Sequence, residues 1–156
     1  MIGNIKIIAV CMCKVYDERN YRIIRALNNF AVENDYRLFV YHTCSDLYWK
    51  TLSEKGEQSV FDLIDYNITD AVVTFEEGVY AENVMTKIRM DAAKYGKPVI
   101  SVGVEHDDCI SIKFGYAKGF EQVVRHVIEQ HGVRDIGFIA GTGLSVACSV
   151  SKNTDA

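Results

Sequence analysis

The chain has 156 residues, 49% apolar and 24% charged, a balance that fits one globular domain with a substantial core. Lys and Arg total 17 against 21 Asp and Glu, a net charge of −4 without blocks of like charge, which argues against a nucleic-acid surface of clustered cations. No segment approaches the roughly 20 apolar residues that span a bilayer, and residues 5–13 lack the long apolar region and cleavage site of a secretory signal.

The first apolar run, residues 6–11 (KIIAVC), is β-branched at its centre and reads as a strand buried on both faces. Asp17 can cap a helix from residue 18 to about 34, where Ile23, Ile24, Leu27, Phe30 and Ala31 recur at helical spacing. Residues 37–42 form the second strand. Ser53, with Glu57 nearby, starts a weaker helix that runs through Val60, Phe61, Leu63 and Ile64. Residues 71–75 (AVVTF) are the third strand. A third helix over 81–95 is stopped by Gly96 and followed by Pro98. Residues 98–102 are the fourth strand and 109–112 a short extended piece. A strongly periodic helix over 116–130 ends near Gly132, and residues 135–140 (DIGFIA) are the fifth and last strand, closed by Gly141, Thr142 and Gly143. The polar tail, 145–156, has no periodic pattern and reads as frayed.

Strands alternating with helices imply parallel β-α-β units and an α/β fold: a doubly wound, mainly parallel, flavodoxin-like sheet of order 2-1-3-4-5. Ligands in such sheets bind outside the carboxyl ends of the strands. That rule selects residues 12–20, 42–49, 76–80 and 103–108 as the places to look for a site. Five cysteines, Cys11, Cys13, Cys44, Cys109 and Cys148, are odd in number and irregularly spaced, which fits reduced thiols in a cytoplasmic protein better than a disulfide framework.

Residues 114–141, FGYAKGFEQVVRHVIEQHGVRDIGFIAG, resemble the lobe-joining segment of LacI-type periplasmic-binding-protein-like sensors. Gly119 matches the helix-start glycine of that family. His126, Val127 and Ile128 match its apolar turn, and residues 132–141 match the helix end and the strand after it. The wording of the whole chain is most similar to the sensor portions attached to bacterial diguanylate cyclases. The resemblance implies one lobe of a type I periplasmic-binding-protein-like fold over 1–144, with 145–156 as a flexible tail or the truncated start of a second lobe. It departs from the family at two points. Gly115 stands where the family places an Asp before the helix. Gly103 and Val104 stand where sugar-binding members carry an Asp after strand four, with Glu105 two positions on.

By this resemblance the first loop lies at the mouth of a ligand cleft. Cys13 sits there, Tyr16 can stack on a ring, and Asp17, Arg19 and Asn20 can bond polar groups; Asp17 can equally be a helix cap and Arg19 a solvated residue. His42, Trp49, Glu76 and Glu105 complete the candidate ligand set. Cys11, Cys13, His42 and Cys44 together invite a zinc reading, against which stand the Cys-x-Cys spacing and the commonness of cysteine as a small core residue. Loop carboxylates such as Glu76, Glu77 and Glu105 are usually solvated, and no nucleophile or base is placed beside them. The expectation is therefore a sensing or regulatory lobe that is not an enzyme and carries no cofactor or resident metal. It would take a sugar or nucleoside-like ligand, pair as a homodimer, serve an output domain in a longer protein, and touch neither membrane nor nucleic acid. The alternatives are a dimerisation module that has lost its ligand and, further off, a flavodoxin-like enzyme.

Overall fold

A computed structural model describes residues 5–77 and 79–137, and the chain divides into two compact units after Phe114. In the first unit the elements alternate: β1 (Lys6–Cys13), α1 (Glu18–Glu33), β2 (Tyr36–Thr43), α2 (Leu52–Gln58) with a 3-10 turn (Ser59–Leu63), β3 (Ala71–Phe75), α3 (Glu82–Lys94), β4 (Val99–Val102) and β5 (Ile110–Ile112). The sheet order is β2-β1-β3-β4-β5 and every pairing is parallel. This is the doubly wound, flavodoxin-like α/β arrangement expected from the alternation.

The fifth place in the sheet is taken by a different segment from the one expected. Ile110–Ile112 pairs with β4 from Ile100↔Ile110 to Val102↔Ile112, whereas residues 135–137 carry no strand. The rest of that expected strand (138–140), the closing glycines Gly141 and Gly143, and the tail with Cys148 lie outside the described residues. β1 and β2 also run further than their apolar cores suggest. They pair in one unbroken register from Lys6↔Tyr36 to Cys13↔Thr43, because ladder bonds continue past the last β-branched residue.

Alternation sorts the side chains. Ala9, Cys11, Val72 and Val99 point to one face and form the core with Phe61, Ile64, Met85, Ile88 and Ala92. On the opposite face Val10 and Met12 are completely buried, each such side chain contributing about 1.5–3 kcal/mol. The second helix differs from expectation: its cap is Thr51, not Ser53. The Thr51 side chain accepts from the Glu54 amide and the Glu54 side chain accepts from Thr51 N, a capping box. The helix tightens to 3-10 geometry after Gln58, where Ser59 Oγ donates to Gly56 O at 2.6 Å and competes with the helical pattern.

In the second unit, α4 (Tyr116–His131) carries Phe120, Val124, Val127 and Ile128 at helical spacing. Gly132, at φ 63°, takes the left-handed conformation that ends it, donating to Ile128 O at 3.1 Å. No helix among the described residues is long and apolar enough to cross a membrane.

Candidate functional site

The carboxyl ends of β1 and β3 are where the sheet order reverses, and a crevice opens there. Its floor is apolar, made by Met12, Phe75, Val102 and Phe114. Its polar wall is Arg19 and Asn20 from the first turn of α1 and Glu77 from the end of β3. Arg19 Nη2 lies 2.6 Å from Glu77 Oε2, so an ion pair bridges the gap between the two strand ends. The Arg19 guanidinium also lies 5.1 Å from the centre of the Phe114 ring, a cation–π distance. With the pair closed, the crevice holds about 20 Å³ of free space, room for little more than one water.

Both supports of the pair are held by backbone. Asn20 Nδ2 donates to Cys13 O and Lys14 O, each at 3.0 Å, tying the start of α1 to the β1 loop. Lys14 adopts φ 48° there, and its amide donates to Thr43 O at 2.8 Å. On the other side Gly103 sits at φ 102°, and a Cβ placed on it would lie 2.7 Å from Glu77 Cβ. Glycine at 103 is thus required by the close approach of the β4 end to Glu77.

The β2 loop forms a second ordered rim. Glu57 accepts from the amides of Cys44 (2.8 Å) and Ser45 (2.9 Å), and Glu54 accepts from Trp49 N at 3.2 Å and Thr51 N at 2.9 Å. These carboxylates hold a loop on which Tyr48 meets Trp49 and Tyr80 edge-on, both at 4.9 Å. Trp49 is 78% exposed.

Behind the crevice lies a buried ionic cluster. Glu76 accepts from Thr74 Oγ1 (2.8 Å), Ser101 Oγ (3.1 Å) and Arg89 Nη1 (2.9 and 3.0 Å), and its second oxygen lies 2.9 Å from His106 Nε2. Burial alone would raise the Glu76 carboxyl. Hydrogen bonds from His106 and Thr74 and the charge of Arg89 outweigh it and hold the group below the ordinary carboxylate value. Arg89 Nε is buried and has no hydrogen-bond partner among the described residues; it lies 3.7 Å from Asp108 Oδ1.

Of the residues singled out from sequence, Cys13, Arg19 and Asn20 come together in the crevice. Tyr16 stands beside it, its hydroxyl donating to Cys44 O at 2.7 Å. Asp17 occupies the N-cap position of α1, yet its side chain makes no capping bond. His42 pairs with Met12 in the register, so it lies on the face opposite Cys11 and Cys13. The four residues of the zinc reading are therefore not brought together, and no group able to hold a metal occurs among the described residues. Cys11 and Cys13 are both buried in the core, and that burial pushes the Cys11 thiol up to about 12 and the Cys13 thiol up to about 11. Glu105 is exposed and paired with Lys113. The expectation that the loop carboxylates are solvated fails for Glu76, which is buried because α3 and the β4–β5 loop bring it partners. Sequence reasoning missed Arg89, His106 and Phe114. One signal was available: Arg89 falls on the apolar stripe of α3 with Met85, Ile88 and Ala92, where an arginine must be buried with a partner.

Comparison with known proteins adds no name to this geometry: no family model matches the chain, and no curated protein is significantly similar to it.

Proposed function

We propose that the chain is a small-molecule-sensing, non-catalytic lobe that serves an output domain, as its resemblance to periplasmic-binding-protein-like sensors implies. The observation that carries this reading is the crevice at the β1/β3 reversal. It lies where ligands enter doubly wound sheets, its polar groups come from two different elements, and its loops are ordered by their own hydrogen bonds. An apolar floor with a few placed polar groups is the usual make-up of a ligand site. The free thiols of Cys11, Cys13, Cys44 and Cys109 suit a reducing, cytoplasmic setting.

The test is a thermal-shift screen of the whole chain against sugars, nucleosides and amino acids. A ligand of the native state at a hundred times its Kd stabilises by about 2.7 kcal/mol, and exchange protection should then appear at residues 12–20 and 75–77. No shift from any class would refute the reading. A second reading, self-association, is favoured by Tyr21, Phe30 and Val32, which are 57%, 65% and 52% exposed on α1. Sedimentation of the unliganded chain decides it, since a tight dimer without ligand response would replace the sensor reading.

A further inference from the structure

Resting on that ligand-binding reading, we infer that the crevice takes a free α-amino acid with an apolar side chain, which enters by exchanging partners with the Arg19–Glu77 ion pair. The crevice is charged, but its charges cancel: Arg19 and Glu77 are 2.6 Å apart and are the only ionised groups lining it among the described residues. An anion entering here is attracted by Arg19 and repelled by Glu77 at nearly the same distance, and a cation meets the reverse. A ligand carrying both charges two bonds apart meets neither penalty. Its carboxylate accepts from the Arg19 guanidinium while its ammonium donates to the Glu77 carboxylate, so one ion pair becomes two.

The neutral chemistry of the crevice points the same way. A polyol needs several uncommitted amides or hydroxyls. The one amide here, Asn20, already directs its nitrogen to Cys13 O and Lys14 O. The floor of Met12, Phe75, Val102 and Phe114 offers only apolar surface, which suits an aliphatic or aromatic side chain. Opening is easy to achieve. The Arg19 side chain is 54% exposed and that of Glu77 36%; ion pairs at such exposure are weak, and Arg19 has a long flexible stem. With about 20 Å³ of free space when the pair is closed, parting the pair and seating the ligand are one event.

The experiment follows the melting midpoint of the whole chain with L-leucine and L-phenylalanine. The controls are 4-methylpentanoic acid, 3-phenylpropanoic acid and phenethylamine, together with glucose and adenosine. The amino acids should raise the midpoint in a dose-dependent way, and the compounds lacking one charge should bind about tenfold or more weakly. Arg19→Gln and Glu77→Gln should each lose the shift while melting close to wild type without ligand, and Arg19→Lys should keep part of it. A shift from glucose or adenosine with none from the amino acids overturns the ligand class and leaves the sensing reading standing. An amino-acid shift that survives both variants overturns the site. No shift from any compound overturns class and reading together.

Discussion

Gly103→Ala isolates the contact on which the crevice is built. The backbone at 103 has φ 102°, and the added Cβ would lie 2.7 Å from Glu77 Cβ, 3.0 Å from Glu77 N and 3.3 Å from Glu77 Cα. The first contact is far shorter than carbon atoms tolerate, and the atoms behind it are backbone at the end of β3, so no flexible side-chain tip can yield. An L-residue forced to this φ costs about 1–3 kcal/mol, and overpacking against a fixed neighbour costs another 1–3 kcal/mol or so. The variant should lose about 2–6 kcal/mol, a large share of the 5–15 kcal/mol or so that holds a domain folded. Urea unfolding followed by circular dichroism reads this as a midpoint lowered by about 1 M or more at unchanged slope. Gly96→Ala is the control. Gly96 also has positive φ, 65°, but nothing lies within 4 Å of its added Cβ, so only the strain of about 1–2 kcal/mol remains. If Gly103→Ala costs no more than Gly96→Ala, the close approach to Glu77 is not real, and the positioning of the ion pair falls with it.

Arg89→Met should cost about 3–5 kcal/mol, because it leaves Glu76 charged and buried without its cation. Adding Glu76→Gln should restore part of the loss, and a double-mutant cycle that finds the two changes additive would contradict the pairing. The Glu76 carboxyl is held below its ordinary value, so the folded state binds fewer protons than the unfolded one. Its stabilisation is present above the ordinary carboxylate value and disappears as the pH falls through the lowered one. Wild type should therefore lose stability more steeply with acid than Glu76→Gln, and parallel pH profiles would show that the group is not coupled to folding. Iodoacetamide at about pH 8 should modify exposed Cys44 in the native protein and reach Cys11 and Cys13 only after denaturation; rapid native labelling of Cys11 would refute its burial.

The sheet was legible where the signal is local. The runs 6–11 and 71–75 are apolar and β-branched, and a strand buried on both faces has no other way to be written. Gly96 and Gly132 mark the ends of α3 and α4 as a left-handed glycine should. Misreading began where a strand is short. Ile110–Ile112 has three residues and only one neighbour, β4, so it is too short to show a periodicity and its place depends on the register with Ile100 and Val102. The run at 135–140 has the stronger local pattern, and composition alone favours it for the fifth place.

The site was less legible because its wiring spans the chain. In sequence Glu76 is a carboxylate just after a strand, where solvent is the ordinary partner. Its actual partners are Arg89, thirteen residues on, and His106, thirty residues on, and no periodicity links positions that far apart. Arg19 and Glu77 are separated by 58 residues and meet only because β1 and β3 are neighbours. Gly103 shows what this does to inference from a missing motif. Read along the chain, it is only a departure from the acid that the resemblance leads one to expect after strand four. In space it is the position that lets the end of β4 pass close to Glu77, since a Cβ at 103 would lie 2.7 Å from Glu77 Cβ. An Asp at 103 could not coexist with Glu77 in this position. The glycine at 103 is therefore set by packing against Glu77, the carboxylate that faces Arg19.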